Sequence, residues 1–247
     1  MSSGIWAAAS GMVGQTAALD VAATNIANAN TPGFRADRAL FRQTMAQATD
    51  RSMGTQSLRY SVSRTVQPNM TAGQMVQTGR GLDVSISKEN SFFAVQTPQG
   101  ERYTRAGAFH LTADGKLTTA AGLPVLDSSR QPITVPTTGQ TITIDATGQL
   151  LADGEPVGPK LLVVSFNKPD ALEKQGSNLL RGTPGAGRPT TIEAELNGGY
   201  LELSNSNAID GMTHLVSATR EFEMLARVVE AFSSTEHKAA TQIAGSR

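Results

Sequence analysis

The two ends of the chain carry long, alanine-rich helical patterns with a seven-residue repeat. The repeat places the larger apolar residues at Ile5, Met12, Leu19 and Ile26 near the start, and at Met212, Leu215, Phe222 and Val229 near the end. A seven-residue repeat is typical of a helix that packs lengthwise against another helix. Two such ends can pair with each other or with copies of themselves. The pattern therefore predicts a subunit of an assembly before any catalytic residue is considered.

Composition narrows the classes of function. The formal net charge is zero, so there is no basic surplus to favour nucleic acid or an acidic membrane surface. Aromatic residues make up only 5% of the chain, which is few for a site that stacks sugars or bases. Cysteine is absent, which excludes a disulfide framework, a thiolate metal site and a cysteine nucleophile.

The first residues show neither a basic segment nor the uninterrupted apolar run of a secretory signal. No stretch approaches the roughly 18 apolar residues of a membrane span. We therefore expect no membrane insertion, and either a cytoplasmic protein or one exported without a cleaved signal peptide.

The pattern between the ends is that of short strands and turns. Residues 82–86 alternate apolar and polar side chains, as a half-buried strand does. Asp114-Gly115 and Thr147-Gly148 lie between apolar runs and predict hairpins. Residues 161–166 form an apolar run that predicts a buried strand. Turn signals at intervals of roughly 8–12 residues favour a sandwich or an open barrel.

The sequence thus predicts an α+β fold. Its long N- and C-terminal helices pair as a coiled-coil layer, and a mainly antiparallel β-domain is inserted between them. The expected boundaries are an N-terminal helix over 1–30, a turn and extended linker over 31–75, a β-rich domain over 76–204 and a C-terminal helix over 205–247. Within the linker, residues 35–49 are also compatible with a helix.

The first helical pattern ends abruptly. Pro32 disfavours helical geometry in Thr31, and Gly33 permits a turn, after which Phe34 offers an apolar anchor. Asn25 and Asn28 are suited to satisfy carbonyls exposed where the helix stops. Local chemistry alone favours an ordinary helix stop. At the other end of the β region, Asn207 is a candidate N-cap for the last helix.

The other candidate residues do not form a recognisable catalytic or binding pattern. The glycine-rich segment 182–188 lacks the Lys-Ser/Thr of a phosphate-binding loop, and nearby prolines oppose a following helix. The histidines are dispersed along the chain (His110, His214 and His237), and the aspartates precede or approach turn glycines (Asp114, Asp145 and Asp153). We expect no catalytic, cofactor-binding or metal-binding residues, and so neither an enzyme nor a cofactor.

The sequence motifs where the helical patterns meet the β region resemble those of the bacterial flagellar axial family, above all its basal-body rod proteins. The N-terminal match consists of Asn25, Ala27, Asn28, Thr31, Pro32, Gly33 and Phe34, with Thr24 standing where many members carry a second asparagine. A second match comprises Thr78-Gly79, Leu82-Asp83-Val84, Phe92-Phe93-Ala94-Val95 and residues 103–109. A third is Gly199-Tyr200-Leu201-Glu202 with Ser204-Asn205. The matches span most of the chain in the family's order.

The resemblance implies a structural subunit of the rod that forms the drive shaft and export channel between motor and hook. It implies helical polymerisation through the terminal helices, and partners that are copies of the chain, other proximal and distal rod proteins and the flagellar type III export apparatus. It implies a location in the basal body, in the rod that crosses the periplasm. The segment 219–224 resembles the proximal form of the rod protein more than the distal form.

Other interpretations remain open. The chain resembles distal rod and hook-type subunits less closely. A wall-binding or lytic β-domain with oligomerising helices would need paired carboxylates or aromatic platforms, and the one tryptophan, Trp6, falls in the first helical pattern. A soluble oligomerising adaptor would form closed oligomers with stable ends.

Overall fold

A computed structural model describes residues 3–48, 57–136, 141–176 and 178–244. The chain divides into two compact units. The helical unit consists of Met1–Ile26, Asp37–Val66 and Ala208–Arg247, and the β unit consists of Ala27–Ala36 and Gln67–Asn207.

Two long helices and a series of mostly short strands make up the described chain. The helices are α1 (Ser3–Ala27) and α2 (Ala208–Ala244), and a single 3₁₀ turn spans Pro169–Ala171. The strands are β1 (Asp37–Ala48), β2 (Ser57–Pro68), β3 (Met75–Gln77), β4 (Val84–Ile86), β5 (Ser91–Thr97), β6 (Gly100–Thr104), β7 (Phe109–Leu111), β8 (Leu117–Thr119), β9 (Ile142–Ile144), β10 (Gln149–Ala152), β11 (Glu155–Lys160), β12 (Val163–Ser165), β13 (Glu173–Lys174), β14 (Leu180–Arg181), β15 (Thr190–Thr191), β16 (Leu196–Gly198) and β17 (Tyr200–Glu202).

In the helical unit, α1 and α2 contact each other with opposite chain directions. Gln15 Nε2 donates a hydrogen bond to Glu221 Oε2 at 2.5 Å. Gly11 lies against Leu225, since a Cβ on this glycine would come within 3.2 Å of the leucine side chain. Further along α1, Ile26 lies against Gly211 near the start of α2. Positions later in α1 therefore meet positions earlier in α2.

Strands β1 and β2 are hydrogen-bonded to each other in a two-stranded sheet. The helical alternative for residues 35–49 is therefore wrong, because a strand begins at Asp37. Residues 57–66 carry a weak two-residue alternation, with Leu58, Tyr60 and Val62 separated by polar residues. Pairing between the two segments satisfies their backbone groups, and this overrides a composition rich in Ser, Arg and Gln.

The β unit is built on a six-stranded sheet with the strand order β13-β14-β6-β5-β12-β15. All of its neighbouring strands are antiparallel. Smaller sheets pair β16 with β4, β17 with β3 and β7 with β8, and β11, β10 and β9 form a three-stranded sheet. The predicted α+β class, with mainly antiparallel sheets between terminal helices, is confirmed.

The central strand β5 is buried on both faces. Phe93 and Val95 belong to one apolar cluster, and Phe92 and Ala94 belong to another. Successive side chains of a strand point to opposite faces of its sheet, so the six-stranded sheet has a core on each side. Phe93 packs edge-on against Phe109 in the first core, and Phe92 packs edge-on against Phe166 in the second.

The hairpins predicted at Asp114-Gly115 and Thr147-Gly148 are confirmed as β7–β8 and β9–β10. In the second turn, the Asp145 carboxylate accepts hydrogen bonds from the backbone N–H groups of Thr147 and Gln149. Burial opposes its ionisation, but these bonds and one from the Thr147 hydroxyl outweigh it and lower the pKa of Asp145. Among the described residues, neither helix is long and apolar enough to span a membrane.

Candidate functional site: the helix seam and the buried junction

The buried and partly buried residues of α2, apart from Ala226, form a line with alternating spacings of three and four. We call this line the seam; its members on α2 are Ala208, Gly211, Leu215, Ala218, Phe222, Leu225 and Val229. Such spacing keeps one stripe of a helix facing a neighbouring helix. Leu215, Phe222 and Val229 were predicted for this stripe. Met212 is instead 55% exposed and lies beside the line.

On α1, the four predicted positions are all partly buried: Ile5, Met12, Leu19 and Ile26. Their assignment to the assembly interface stays a prediction. The contacts with α2 also involve Gly11 and Gln15, which periodicity of large apolar residues did not single out. Buried alanines at Ala8, Ala17 and Ala22 show that small side chains carry much of this helix's packing.

A second set of apolar side chains on the helices is exposed. On α2 these are Ile209, Met212, Val216, Met224, Val228 and Phe232, and on α1 there is Val13. We call the α2 set without Phe232 the outer strip, because Phe232 follows Val229 by three residues and continues the spacing of the seam. Scattered exposed apolar residues are ordinary, but several of them along one helix, beside its pairing line, mark a candidate interaction surface.

The turn that ends α1 is held tightly inside the β unit. Gly33 has a φ of 69° and donates its N–H to the Glu202 carbonyl at 2.7 Å. A Cβ at this position would lie 2.3 Å from the Ala106 nitrogen, so only glycine fits. Phe34 is buried, with the Lys174 ammonium 4.0 Å above its ring. This predicted anchor is therefore a packed one.

The two asparagines of the motif have different partners. Asn28 accepts a hydrogen bond from the Thr31 hydroxyl at 3.2 Å and, through its carbonyl, one from the Thr31 N–H at 3.1 Å. Asn25, in the helical unit, instead bonds to both backbone groups of Asp37 in β1, at 2.7 and 2.9 Å. Asn25 thus ties a helix to a strand. Pro32 contributes its carbonyl, which accepts a hydrogen bond from Asn178, and Ala27 is the last residue of α1.

A buried ionic cluster lies beside the turn that ends α1. We call this turn, the cluster of Arg35, Arg105 and Glu202, and the neighbouring Asn205 the junction. The Glu202 side chain is fully buried and contacts the guanidinium groups of Arg35 and Arg105, each at 2.7 Å. Its Oε1 also accepts the Gly73 N–H at 2.9 Å. A buried carboxylate with two charged partners and a backbone donor is well compensated.

All three nitrogens of the Arg105 guanidinium group donate hydrogen bonds. Besides Glu202, it donates to the backbone carbonyls of Ile86, Lys88 and Ser91. Arg105 thereby fixes the segment between β4 and β5 against β17. Arg35 is less well satisfied, because its Nε has no hydrogen-bond partner within the described part of the chain. Burial, with a smaller effect from the nearby Arg105 charge, lowers the pKa of Arg35, although Glu202 opposes the shift.

Asn205 completes the junction. Its Oδ1 accepts the Ala36 N–H at 2.6 Å, and its Nδ2 donates to the carbonyls of Asn69 and Thr71 at 2.9 and 2.8 Å. The Thr71 carbonyl also accepts a hydrogen bond from Arg35. Sequence analysis assigned no role to Asn205 or Glu202. Both residues belong only to the third segment that resembles the family.

The remaining candidates show no constellation for catalysis or metal binding. His110 and His214 are exposed, while the side chains of Trp6 and His237 lie outside the described residues. The loop 182–188 borders an open cleft together with Arg102 and Tyr103, and β15, not a helix, follows it. No group of histidine, aspartate and glutamate in the described residues is arranged to hold a metal ion.

Three family models match the chain. They are described as flagella basal body rod protein over residues 5–35, flagellar hook protein FlgE/F/G D1 domain over 88–152, and flagellar basal body rod FlgEFG protein C-terminal over 197–242. The first and last matches cover the motif turn and the strand that carries Glu202. Both therefore overlap the junction.

Curated relatives extend over nearly the whole chain. A flagellar basal-body rod protein FlgF from Caulobacter vibrioides is 34% identical over 86% of this chain and 86% of its own length. A FlgG from Agrobacterium fabrum is 34% identical over 90% of this chain and 92% of its own. A FlgF from Escherichia coli is 34% identical over 89% of each. With the helix–β–helix order and the junction motifs, these similarities show that the chain belongs to the flagellar basal-body rod protein family.

Proposed function

We propose that this structural rod subunit polymerises helically through its terminal helices and has no catalytic activity of its own. The single observation that carries the proposal is the division of the apolar residues of α2 into a partly buried stripe and an exposed set. The seam faces α1 within the subunit, whereas the outer strip has no covering element among the described residues. A rod subunit needs both an internal helix pairing and an external one.

The seam supports a coiled-coil layer inside the subunit. Its residues recur with the three–four spacing of a heptad, and Gly11 and Gly211 allow close approach of the two helices. The predicted residues Ile5, Met12, Leu19, Ile26, Leu215, Phe222 and Val229 belong to this pairing. Met212 is better assigned to the outer strip, because its side chain is exposed.

The outer strip supports contact with a helix of a neighbouring rod subunit, either another copy or another rod protein. It is apolar, and α1 is almost uncharged, with Asp20 as its only charged residue. Packing the outer strip of one subunit on a different helical face of the next joins two unlike surfaces. Such heterologous contacts repeat along an axis without closing, which is what a rod requires.

We infer that the chain is the proximal form. Its last helix contains Thr219-Arg220-Glu221-Phe222-Glu223-Met224, which resembles that form. Relatives named FlgF and FlgG match at the same 34% identity, so the inference is based on this segment. In this role the assembled helices contribute to the drive shaft and export channel that cross the periplasm.

Delivery by the flagellar type III export apparatus follows from the same proposal. Export through a narrow channel requires an unfolded chain, and α1 is rich in small residues that bury little area alone. Ordering of the helices on assembly then accompanies incorporation into the rod.

The test is deletion of the gene followed by imaging of isolated flagellar basal bodies. The expected result is loss of rod and hook, with swimming restored by the wild-type gene. Restoration should fail when the gene carries Met224→Asp, which places a charge in the outer strip, but not when it carries the matched exposed change Glu223→Asp. Intact rods and hooks in the deletion strain would contradict the proposal.

A further inference from the structure

The chain passes between the helical and β units repeatedly. The unit boundaries fall after Ile26, Ala36, Val66 and Asn207. Just inside the β unit, three segments lie next to these boundaries: 27–36, 67–73 and 202–207. Backbone hydrogen bonds connect these segments in pairs: the Gly33 N–H donates to the Glu202 carbonyl, the Asn69 N–H donates to the Ala36 carbonyl, and β3, which follows 67–73, pairs with β17.

Two side chains hold all three segments together. Glu202 binds Arg35 in the first segment and the Gly73 N–H in the second. Asn205 binds the Ala36 N–H in the first segment and the Asn69 and Thr71 carbonyls in the second. Both belong to the third. We call Glu202, Asn205 and Arg35 the clasp, with Arg105 as its anchor in the β unit.

We propose that the clasp sets the points from which α1 and α2 leave the β unit, and thereby aligns the two helices for pairing. The helices are separated in sequence by the whole β unit, so closing that loop carries an entropic cost. When the β unit is folded and the clasp is closed, the entropic cost of closing the loop has been offset before the two helices pair. The helix contact closest in sequence to the clasp is that of Ile26 with Gly211.

The clasp is suited to this role because two of its members, Glu202 and Arg35, are buried and charged. Glu202 keeps a buried cation on each side, and Arg105 is anchored by three backbone carbonyls. Arg35, by contrast, can be removed without leaving Glu202 unpaired, because Arg105 remains. The ionic link to the first segment can therefore be removed while the Arg105 anchor stays in place.

The experiment is hydrogen exchange of the full-length free protein, followed by mass spectrometry of three peptides. Two report on the helix ends near the clasp (19–27 and 208–216), and one reports on β5 in the core (91–97). Arg35→Met is compared with Arg181→Met, which removes an arginine from a half-exposed ion pair with Glu173 in the same unit. We expect Arg35→Met to speed exchange at both helix ends about tenfold and to leave β5 unchanged, and Arg181→Met to change none of the three.

Three results would overturn the inference. Unprotected helix ends in the wild-type protein would mean that the clasp does not order them, and unchanged helix ends in Arg35→Met would mean the same. An equal increase in the β5 peptide would mean that the cluster only stabilises the core. Should Arg35→Met fail to fold, Asn205→Ala removes the other side-chain link between the same segments and leaves the buried charges unchanged. The same three outcomes apply to it. The inference concerns the free subunit, so it stands independently of the proposed assembly.

Discussion

The Arg105 guanidinium group meets the Glu202 carboxylate through two nitrogens, Nε at 2.8 Å and Nη2 at 2.7 Å, across 97 residues of sequence. Both side chains are buried. Both nitrogens contact one carboxylate oxygen, Oε2, which leaves Oε1 to Arg35 and the Gly73 N–H, and charge-assisted bonds of this kind are strong. The pair therefore joins the strand that precedes α2 to the end of β6 with little freedom.

Arg105→Met should strongly destabilise the β unit. It leaves three carbonyls without their donor and Glu202 with one cation in place of two, and breaking a buried charged network costs about 3–5 kcal/mol. The measurement is the free energy of unfolding from urea titration followed by circular dichroism. The control, Arg181→Met, removes a half-exposed ion pair and should cost less than about 1 kcal/mol. Equal losses in the two variants would show that the buried network contributes nothing special.

Gly33→Ala and Gly122→Ala should differ although both glycines have similar backbone angles. Their φ values are 69° and 75°, so each alanine carries a similar left-handed strain of about 1–2 kcal/mol. A Cβ at Gly33 would also strike the Ala106 nitrogen at 2.3 Å, whereas nothing lies within 4 Å at Gly122. We expect Gly33→Ala to cost about 1–3 kcal/mol more than Gly122→Ala in the free energy of unfolding.

Identical costs would show that the turn of Gly33 can move away from the backbone of Ala106. The comparison thus separates crowding from conformational strain. It also tests whether the motif turn is seated in the β unit or is only a helix stop, which was the interpretation favoured by local chemistry.

The features predicted correctly are those whose cause is local. The β7–β8 and β9–β10 hairpins follow from Asp-Gly and Thr-Gly turns between apolar runs. Alternation over a few residues predicted the strand β4, although not its exposure, because Ser85 is buried as well as Val84 and Ile86. The junction could not be derived this way. Glu202 is an acidic residue in a short strand, a pattern typical of an exposed position, and its partners Arg35 and Arg105 are distant in sequence.

The seam shows why residue type can mislead a periodic pattern. Met212 is large and apolar, so it was placed on the pairing stripe, while its neighbour Gly211 was passed over. In the structure Gly211 lies against Ile26 and Met212 is exposed, because close helix approach selects a small residue there. The alternation of three and four residues through Leu215, Ala218 and Phe222 would have revealed the stripe had small residues been counted.

Tyr103 should titrate at unusually high pH. Burial, followed by the nearby Glu101 carboxylate, raises the pKa of its phenol from 10.0 to about 12. Between these values the folded protein keeps the proton that the unfolded chain releases, so the free energy of unfolding falls as pH rises through the window. Ultraviolet absorbance at alkaline pH should show this late phase, and Tyr103→Phe should remove it together with that part of the pH dependence. Persistence of the phase in Tyr103→Phe would assign it to another tyrosine.

Leu215→Asp and Val216→Asp should separate the seam from the outer strip, although the residues are neighbours. Leu215 is partly buried on the seam, so a carboxylate there loses hydration and should weaken the helix pair in the free subunit. Val216 is 49% exposed, so its substitution should leave the free subunit's helicity, measured by far-ultraviolet circular dichroism, unchanged. Under the proposed assembly both variants abolish swimming, the first because the helix pair is lost and the second because a neighbouring subunit meets a charge. Normal helicity in Leu215→Asp would contradict the seam, and normal swimming in Val216→Asp would contradict the use of the outer strip between subunits.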